Sequence, residues 1–170
     1  MNNTLKTYLG IDNGVTGAMA ALYADESWEF QPVAVENCGK DRVLDVRRNL
    51  DFLRRVALRS GGAGQVVVAY EKQKKNPLFG TKGNFSNGRH EEFWRVLLTL
   101  NELPFCVVDP NTWQNDVLNG IPGTDTKARA RVYVGRRFPT VNLAAAFNAA
   151  RQEAIRDAMC IAAWARSNSR

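Results

Sequence analysis

Three acidic residues far apart in the chain, Asp12, Glu71 and Asp157, stand where their side chains could meet. Asp12 directly follows the apolar run at residues 8–11, Glu71 ends the apolar run at residues 66–70, and Asp157 lies in a segment with helical spacing. Two strand ends and one helix that each offer a carboxylate suit hard divalent cations such as Mg²⁺, which bind oxygen ligands and substrate phosphates. The chain also carries 23 Lys and Arg against 17 Asp and Glu, a net charge of +6, which favours a polyanionic partner. These residues therefore predict a metal-assisted reaction on a phosphodiester.

The length and composition fit a single domain, residues 1–170, with enough apolar side chains for a core. The three cysteines, Cys38, Cys106 and Cys160, are widely spaced without metal-type pairing, which predicts reduced thiols and a cytoplasmic setting. The N-terminal residues carry no apolar signal region, and no apolar run approaches membrane-spanning length. We therefore expect neither a membrane partner nor a small-molecule cofactor.

Apolar patterning predicts five strands and four helices. The first three strands, at residues 5–12, 17–24 and 28–36, are joined by short turns, which favours an antiparallel meander. Two further strands are predicted at 66–70 and 105–108, helices at 43–58, 90–102, 125–137 and 147–166, and a loop at 72–89. The order βββαβαβαα is typical of an α/β domain with a five-stranded mixed sheet flanked by helices.

Glu153 and Asp157 are four residues apart, so they share one face of the last predicted helix. Cys160 and Trp164 continue that face, which we expect to pack against the sheet. Carboxylates on a packing face are costly to bury as ions unless something compensates their charge, and a pair of metal ions is one such compensation. Two simpler interpretations stay open: a solvated helix face for the two acids, and a turn-forming role for Asp12 before Asn-Gly.

Three segments resemble motifs of the RuvC family of Holliday-junction resolvases. Residues 10–18, Gly-Ile-Asp-Asn-Gly-Val-Thr-Gly-Ala, resemble the family's first motif. Glu71 matches its second acid, and residues 157–162, Asp-Ala-Met-Cys-Ile-Ala, match its terminal-helix signature. The order and spacing extend the resemblance over nearly the whole chain. Residues 83–86 and 112–115 are similar to elements of the branch that contains the phage and chloroplast junction resolvases.

The resemblance implies an RNase H-like fold and a homodimeric, magnesium-dependent endonuclease that resolves four-way DNA junctions by paired symmetric nicks. It implies two Mg²⁺ ions per active site, for which Mn²⁺ would substitute, and the catalytic residues that would hold them are Asp12, Glu71, Asp157 and Glu153. The chain departs from the bacterial pattern at Ala154, where an acid or histidine is usual. Glu153, one residue earlier, is therefore the candidate fourth ligand. For a phage-encoded protein the host cytoplasm is the expected compartment, and an organelle also fits the resemblance.

Lys127, at the start of the third predicted helix, matches a family lysine near the scissile phosphate, where it would place a catalytic point charge. A phosphate-backbone clamp and a plain surface lysine stay open as alternatives. The predicted loop at 72–89 mixes cations with aromatics, so its lysines would track phosphates and an aromatic would stack on an unpaired base or fold back into the core. The DNA-binding candidates are Lys72, Lys74, Lys75, Phe79, Lys82, Phe85 and Arg89 in this loop, and Arg129 and Arg131 in the third helix.

Three other functions compete with this interpretation. A small-molecule kinase of the actin-like class shares the Gly-Ile-Asp hairpin, but it needs two lobes and leaves Asp157 unexplained. An RNase H-type or flap nuclease would use the same acids, because a fold does not fix a substrate. A catalytically weak junction-binding module is the third alternative, and Ala154 is the residue that favours it.

The second predicted helix carries Phe93, Trp94 and Leu97 on one face, which would form either a dimer interface or a contact with the protein's own core. His90, the one histidine of the chain, is expected to cap this helix or to lie on its surface. Asp109, before a proline, is expected to build a turn after the last strand.

Overall fold

The computed structural model describes residues 6–73 and 80–169. The strands in this part of the chain are β1 (Thr7–Asp12), β2 (Ala18–Leu22), β3 (Trp28–Pro32), β4 (Val35–Cys38), β5 (Asp41–Leu44), β6 (Val66–Glu71) and β7 (Phe105–Val108). The α-helices are α1 (Val46–Arg59), α2 (Gly80–Leu100), α3 (Pro110–Leu118), α4 (Thr126–Arg137) and α5 (Ala149–Asn168), with single 3₁₀ turns at Ala63–Gln65 and Leu143–Ala145. Within these ranges, no helix combines the length and the apolar character that a membrane crossing requires.

Five strands form one mixed sheet in the order β3-β2-β1-β6-β7. β1, β2 and β3 pair antiparallel, whereas β6 pairs parallel with both β1 and β7. These five strands overlap the five that patterning predicts. The predicted α/β architecture, a five-stranded mixed sheet that begins with an antiparallel meander, is therefore confirmed.

Helices cover both faces of the sheet, so the core has two parts. α1 and α2 pack on one face, and α3, α4 and α5 pack on the other. Ile11 and Tyr70 belong to the α1–α2 side of the core. Because successive side chains of a strand point to opposite faces, the residues that follow them, Asp12 and Glu71, are turned toward α5.

α5 lies directly against β1 because β1 has a glycine at the crossing. A Cβ built on Gly10 would lie 2.0 Å from the backbone oxygen of Ala158 and 2.5 Å from the backbone nitrogen of Ala162, both in α5. Small alanine side chains of β2 and β6 lie in the same part of the core. The helix that carries Asp157 therefore approaches the sheet with no side chain between the two backbones at this point.

The segment before α1 departs from the prediction. The predicted third strand at 28–36 is two strands, because β4 leaves the main sheet and pairs antiparallel with β5 in a separate two-stranded sheet. Gly39, with φ of 62°, supports the tight turn between them. The first helix then begins at Val46 and not at 43. Asp45 is its N-cap, and the Asp45 carboxylate accepts a hydrogen bond from the backbone nitrogen of Arg48.

Residues 80–89 are helical, so the prediction of a loop over 72–89 is wrong for that part. A glycine inside a helix costs only about 1 kcal/mol relative to alanine. The buried Trp94 and Leu98 of the same helix offset this cost by tertiary packing. His90 therefore lies within α2 with only 9% of its surface exposed, so it neither caps the start of the helix nor lies on the helix surface.

α2 turns one apolar face into the core. Trp94 is 0% exposed and Leu97 is 7% exposed, and the half-buried Phe93 packs beside them. Of the two interpretations of this face, contact with the protein's own core is the correct one.

The unpredicted helix α3 follows β7. Asp109 is its N-cap, and the Asp109 carboxylate accepts a hydrogen bond from the backbone nitrogen of Asn111 at 2.9 Å. Pro110 occupies the first helical position, where a missing N–H group leaves no hydrogen bond unmade. The Asp-Pro pair that was expected to form a turn is therefore the start of a helix.

Candidate active site

Asp12 and Glu71 end neighbouring parallel strands at one edge of the sheet. β1 and β6 pair with Ile11 opposite Tyr70, so the next residue of each strand is one of the two acids. Strand alternation turns both side chains to the α5 face. The charge of Glu71 contributes to the raised pKa of Asp12, as expected for carboxylates that are close enough to repel each other.

Asp157 reaches the same place from α5. It precedes Ala158, whose backbone carbonyl lies over Gly10 of β1, and its charge also raises the pKa of Asp12. Lys127, in the first turn of α4, donates a hydrogen bond from Nζ to Oδ2 of Asp157 at 2.6 Å. The Asp157 side chain is 13% exposed, and its other oxygen, Oδ1, is buried without a hydrogen-bond partner in the described structure. A buried carboxylate oxygen without a partner is a costly arrangement, so this position favours a cation.

The Asp12 and Asp157 carboxylates are poorly solvated and are repelled by neighbouring acids, and both effects raise their pKa values. Burial, followed by the charges of Glu71 and Asp157, raises the pKa of Asp12 to about 7, although Lys127 opposes the shift. Burial also raises the pKa of Asp157, against the effect of Lys127. Burial alone would lower the pKa of Lys127, but its hydrogen bond to Asp157 and the nearby acids raise that pKa overall. A bound cation would relieve this repulsion and restore the ionised carboxylates.

Buried side chains hold the ends of β1 and β6 in place. Trp113 of α3, 1% exposed, donates from Nε1 to Oε2 of Glu71 at 2.7 Å. The buried Asn13 donates from Nδ2 to the backbone oxygen of Glu71 at 2.7 Å. Trp94 donates from Nε1 to the backbone oxygen of Asn13 at 3.2 Å, and Gln73 donates to the Asn13 side chain. This network fixes the Glu71 carboxylate relative to Asp12.

Glu153 lines a cavity of about 350 Å³ together with Asp12 and Lys127. It lies one helical turn before Asp157 on α5, and its charge contributes to the raised pKa of Asp157. One of its carboxylate oxygens is 3.7 Å from the guanidinium of Arg131. The other residues that line the cavity are Thr16, Arg42, Asn148, Ala150, Arg151 and Ala154.

The chemistry of the donor set fits divalent metal ions, because the candidate ligands are carboxylates. The unpaired Oδ1 of Asp157 and the raised pKa of Asp12 both mark a place that is short of positive charge. Over residues 6–73 and 80–169, however, no group of three or more Asp, Glu, His or Cys side chains forms a ready metal cluster. Two contacts are consistent with this: Trp113 engages the carboxylate of Glu71, and Lys127 engages that of Asp157.

The predicted DNA-binding residues lie on several elements. Lys72 is exposed at the end of β6, and Arg129 and Arg131 are exposed on α4. Phe85 and Arg89 of α2 line a second cavity of about 450 Å³. Phe85 is 67% exposed, so it does not fold back into the core, and the Arg89 guanidinium lies 6.0 Å from its ring centroid. Lys74, Lys75 and Phe79 lie outside the described residues, as does the side chain of Lys82.

Three residues at the site were not among the sequence-based candidates. Arg42 stands on β5, a strand that patterning did not predict, and Arg151 stands in the first turn of α5. Trp113 belongs to the segment 112–115, whose resemblance to a family element assigns it no role. The sequence carries only a weak signal for the role of Trp113, because Glu71, the partner of its indole, lies 42 residues away.

No protein-family model matches the chain, and no curated protein matches it. Solved structures do match. The chain is similar to Thermus thermophilus RuvC in complex with a Holliday junction substrate, with 16% identity and a TM-score of 0.56, over 96% of this chain and 97% of that one. It is also similar to a second Thermus thermophilus RuvC structure, with 18% identity and a TM-score of 0.55, over 92% of this chain and 90% of that one.

At these identities the likeness establishes the fold. The chain has a RuvC-like, RNase H-like fold over nearly its full length. The resemblance inferred from the three sequence motifs is therefore confirmed at the level of the fold.

Proposed function

We propose that this protein is a magnesium-dependent endonuclease that binds four-way DNA junctions as a homodimer and nicks two strands symmetrically. The observation that carries this proposal is that Asp12, Glu71 and Asp157, from β1, β6 and α5 of a RuvC-like fold, lie near enough for the charges of the last two to raise the pKa of Asp12. Lys127 lies beside these acids. The Thermus RuvC that resembles this chain was solved with a Holliday junction substrate, which supports the choice of substrate.

Asp12, Glu71, Asp157 and Glu153 would hold two Mg²⁺ ions, with Mn²⁺ as a substitute. Bound there, such ions supply charge stabilisation on the phosphate oxygens and promote ionisation of the attacking water. The carboxylate of Glu71 is already oriented by the Trp113 indole, so less side-chain freedom is lost when it acts as a ligand.

The chain itself supplies positive charge at the point where negative charge develops. Lys127 Nζ is anchored 2.6 Å from Asp157 Oδ2, and half of the lysine side chain remains exposed. A phosphodiester that approaches Asp157 therefore meets an ammonium group, and the raised pKa of Lys127 reinforces its protonation. Cleavage of the bond between phosphorus and the 3′-oxygen would leave a 5′-phosphate and a 3′-hydroxyl that a ligase can reseal.

Exposed apolar side chains on α2 and β7 support a homodimer. Val96 and Leu100 are 44% and 76% exposed and stand four residues apart on α2. Val107 is 43% exposed on β7, an edge strand of the sheet. A two-fold axis through such a surface would give two equivalent sites, which paired symmetric nicks require.

A cleavage assay on a synthetic mobile four-way junction tests the proposal. Linear duplex, flap and RNA–DNA hybrid serve as competing substrates, with and without Mg²⁺. We expect paired nicks in the junction alone, and only with the metal. Cleavage of the hybrid or flap instead would assign the site to another nuclease function, and metal-independent junction binding without cleavage would identify a binding module.

Trp113→Phe is expected to lower the cleavage rate by about 10- to 100-fold with junction binding unchanged, because it releases the Glu71 carboxylate while keeping an aromatic ring. The free energy of unfolding should fall by about 1–3 kcal/mol through the lost buried hydrogen bond. Single-turnover cleavage and chemical denaturation measure the two effects. Trp164→Phe is the matched control, since the Trp164 indole donates to Asp116 Oδ2 at 2.8 Å on an exposed surface. Equal rate losses in the two variants would remove Trp113 from the site.

Phe85→Ala is expected to weaken junction cleavage by about tenfold and duplex binding much less, because a base stacked on an aromatic side chain contributes about 1–3 kcal/mol. Phe85 is 67% exposed, so little stability depends on it. Leu58→Ala is the matched control, because Leu58 is 83% exposed on α1. Junction cleavage and duplex affinity are measured on the wild type, Phe85→Ala and Leu58→Ala. Equal losses on junction and duplex would exclude a junction-specific role for Phe85.

A further inference from the structure

Two arginines from different elements line the cavity of about 350 Å³ beside Asp12, called here the catalytic cavity, and neither is one of the candidate metal ligands. Arg42 comes from β5 in the separate two-stranded sheet, and Arg151 comes from the first turn of α5. They share the cavity with Asp12 and Glu153. Two guanidinium groups are thus placed beside a group of carboxylates that would otherwise repel a nucleic-acid strand.

One nitrogen of the Arg151 guanidinium is a donor that the described part of the fold leaves unpaired. Its Nη1 is buried and has no hydrogen-bond partner in the described structure. A charged donor in that condition is costly unless a ligand or ion pairs with it. Its backbone nitrogen is already used, because it donates to the Asn148 N-cap side chain at 3.0 Å. The N-terminus of the 20-residue helix α5 adds the positive end of the helix dipole. The unpaired Nη1 and the helix N-terminus both favour an anion in this cavity.

Arg42 stands between two cavities. It lines the catalytic cavity of about 350 Å³ and also the neighbouring cavity of about 450 Å³. The second cavity includes Phe85, Arg89 and His90 of α2. A strand that runs from the catalytic cavity into the second one would therefore pass Arg42, and Arg89 would supply the next cation along that path.

We propose that Arg42 and Arg151 bind a phosphate of the cut strand next to the one that is cleaved, on the side of the site that leads to α2. Lys127 remains the cation for the scissile phosphate, because it is the one hydrogen-bonded to Asp157. The guanidinium group suits this role, since its planar donors match phosphate oxygens in pairs. This inference rests on the proposed function and names how that site holds its substrate.

Salt-dependent binding tests the proposal without metal or cleavage. Affinity for a four-way junction is measured in EDTA over a series of KCl concentrations for the wild type, Arg42→Gln, Arg151→Gln and the double variant. Each lost phosphate contact is expected to reduce the slope of log K against log[salt] by about 0.9. Arg42→Lys and Arg151→Lys should retain most of the slope, because they keep the charge and lose only the paired geometry.

Arg166→Gln is the matched control. Arg166 lies on the same helix, about 22 Å from Arg151 at 1.5 Å per residue, and pairs with Glu26 at 2.6 Å on the surface. It removes one positive charge from the chain and should leave the slope unchanged. Thermal unfolding of each variant, and the behaviour of the lysine variants, separate a lost phosphate contact from a lost fold.

The outcomes distinguish this inference from the proposed function. Wild-type slopes in both glutamine variants, or an equal reduction in Arg166→Gln, would overturn the role of the arginine pair even if junction cleavage is seen. If the wild type binds the junction but does not cut it, the proposed function fails, and reduced slopes in the two glutamine variants would still support the phosphate site. If no nucleic acid binds, both proposals fail together.

Discussion

Asp157→Asn is expected to reduce junction cleavage at least about a thousandfold and to leave junction binding intact or tighter. The amide keeps the size of the side chain but removes the charge that a metal ligand at the meeting point of β1, β6 and α5 requires. It also removes a carboxylate that helps to raise the pKa of Asp12. Repulsion of the DNA backbone therefore decreases while the catalytic chemistry is lost.

Single-turnover cleavage with Mg²⁺ and junction affinity in EDTA measure the two effects separately. Asp116→Asn is the matched control. Asp116 is also an acid that contacts α5, through the Trp164 indole, and the amide oxygen can still accept that hydrogen bond. Full cleavage by Asp157→Asn would place this residue outside the active site. Loss of both binding and cleavage, with normal unfolding, would instead assign it to substrate binding.

Asp157→Asn is also expected to have only a small effect on the free energy of unfolding. Burial of the Asp157 carboxylate, whose Oδ1 has no hydrogen-bond partner in the described structure, destabilises the native state. The Lys127 hydrogen bond to Oδ2 stabilises it. An asparagine keeps a weaker acceptor for Lys127 and avoids burial of the charge. Because these terms oppose each other, the free energy of unfolding should change by no more than about 1 kcal/mol, which chemical denaturation in EDTA can measure.

The positions of the acids could be predicted because each depends on a local pattern. Asp12 and Glu71 follow apolar runs that are long enough to be strands, and Asp157 lies in a segment with helical spacing. Parallel pairing of β1 and β6 then brings the first two together at one sheet edge. Sequence patterns therefore predict the element that carries each acid, whereas the strand pairing that brings Asp12 and Glu71 together is seen in the structure.

The supporting residues could not be predicted because they depend on tertiary contacts. The Trp113 contact with Glu71 needs a helix that begins at an Asp-Pro pair, and this pair occurs in turns as well as at helix starts. Arg42 reaches the site on a hairpin whose strands are four residues long, too short to show a reliable alternation. The helical part of the predicted loop was missed because its glycines outweighed the weak periodicity there.

Gly10→Ala is expected to lower the free energy of unfolding by about 3 kcal/mol and to reduce cleavage more than this instability explains. The added Cβ would lie 2.0 Å from the Ala158 oxygen and 2.5 Å from the Ala162 nitrogen. Both are backbone atoms of α5, so no side chain can move aside. The helix itself must shift away from β1, which would carry Asp157 away from Asp12.

Chemical denaturation and Mg²⁺-dependent cleavage at a temperature where the variant is folded measure the two effects. Gly135→Ala is the matched control, since Gly135 lies within α4 and a Cβ built there meets no atom within 4 Å apart from its chain neighbours and the backbone of its own helix. That substitution should raise stability by about 0.5–1 kcal/mol. A Gly10→Ala protein with wild-type stability would show that α5 does not approach β1 this closely. If its stability fell but cleavage by the folded fraction stayed normal, Gly10 would serve only the fold, and the spacing between Asp12 and Asp157 would tolerate a shift of α5.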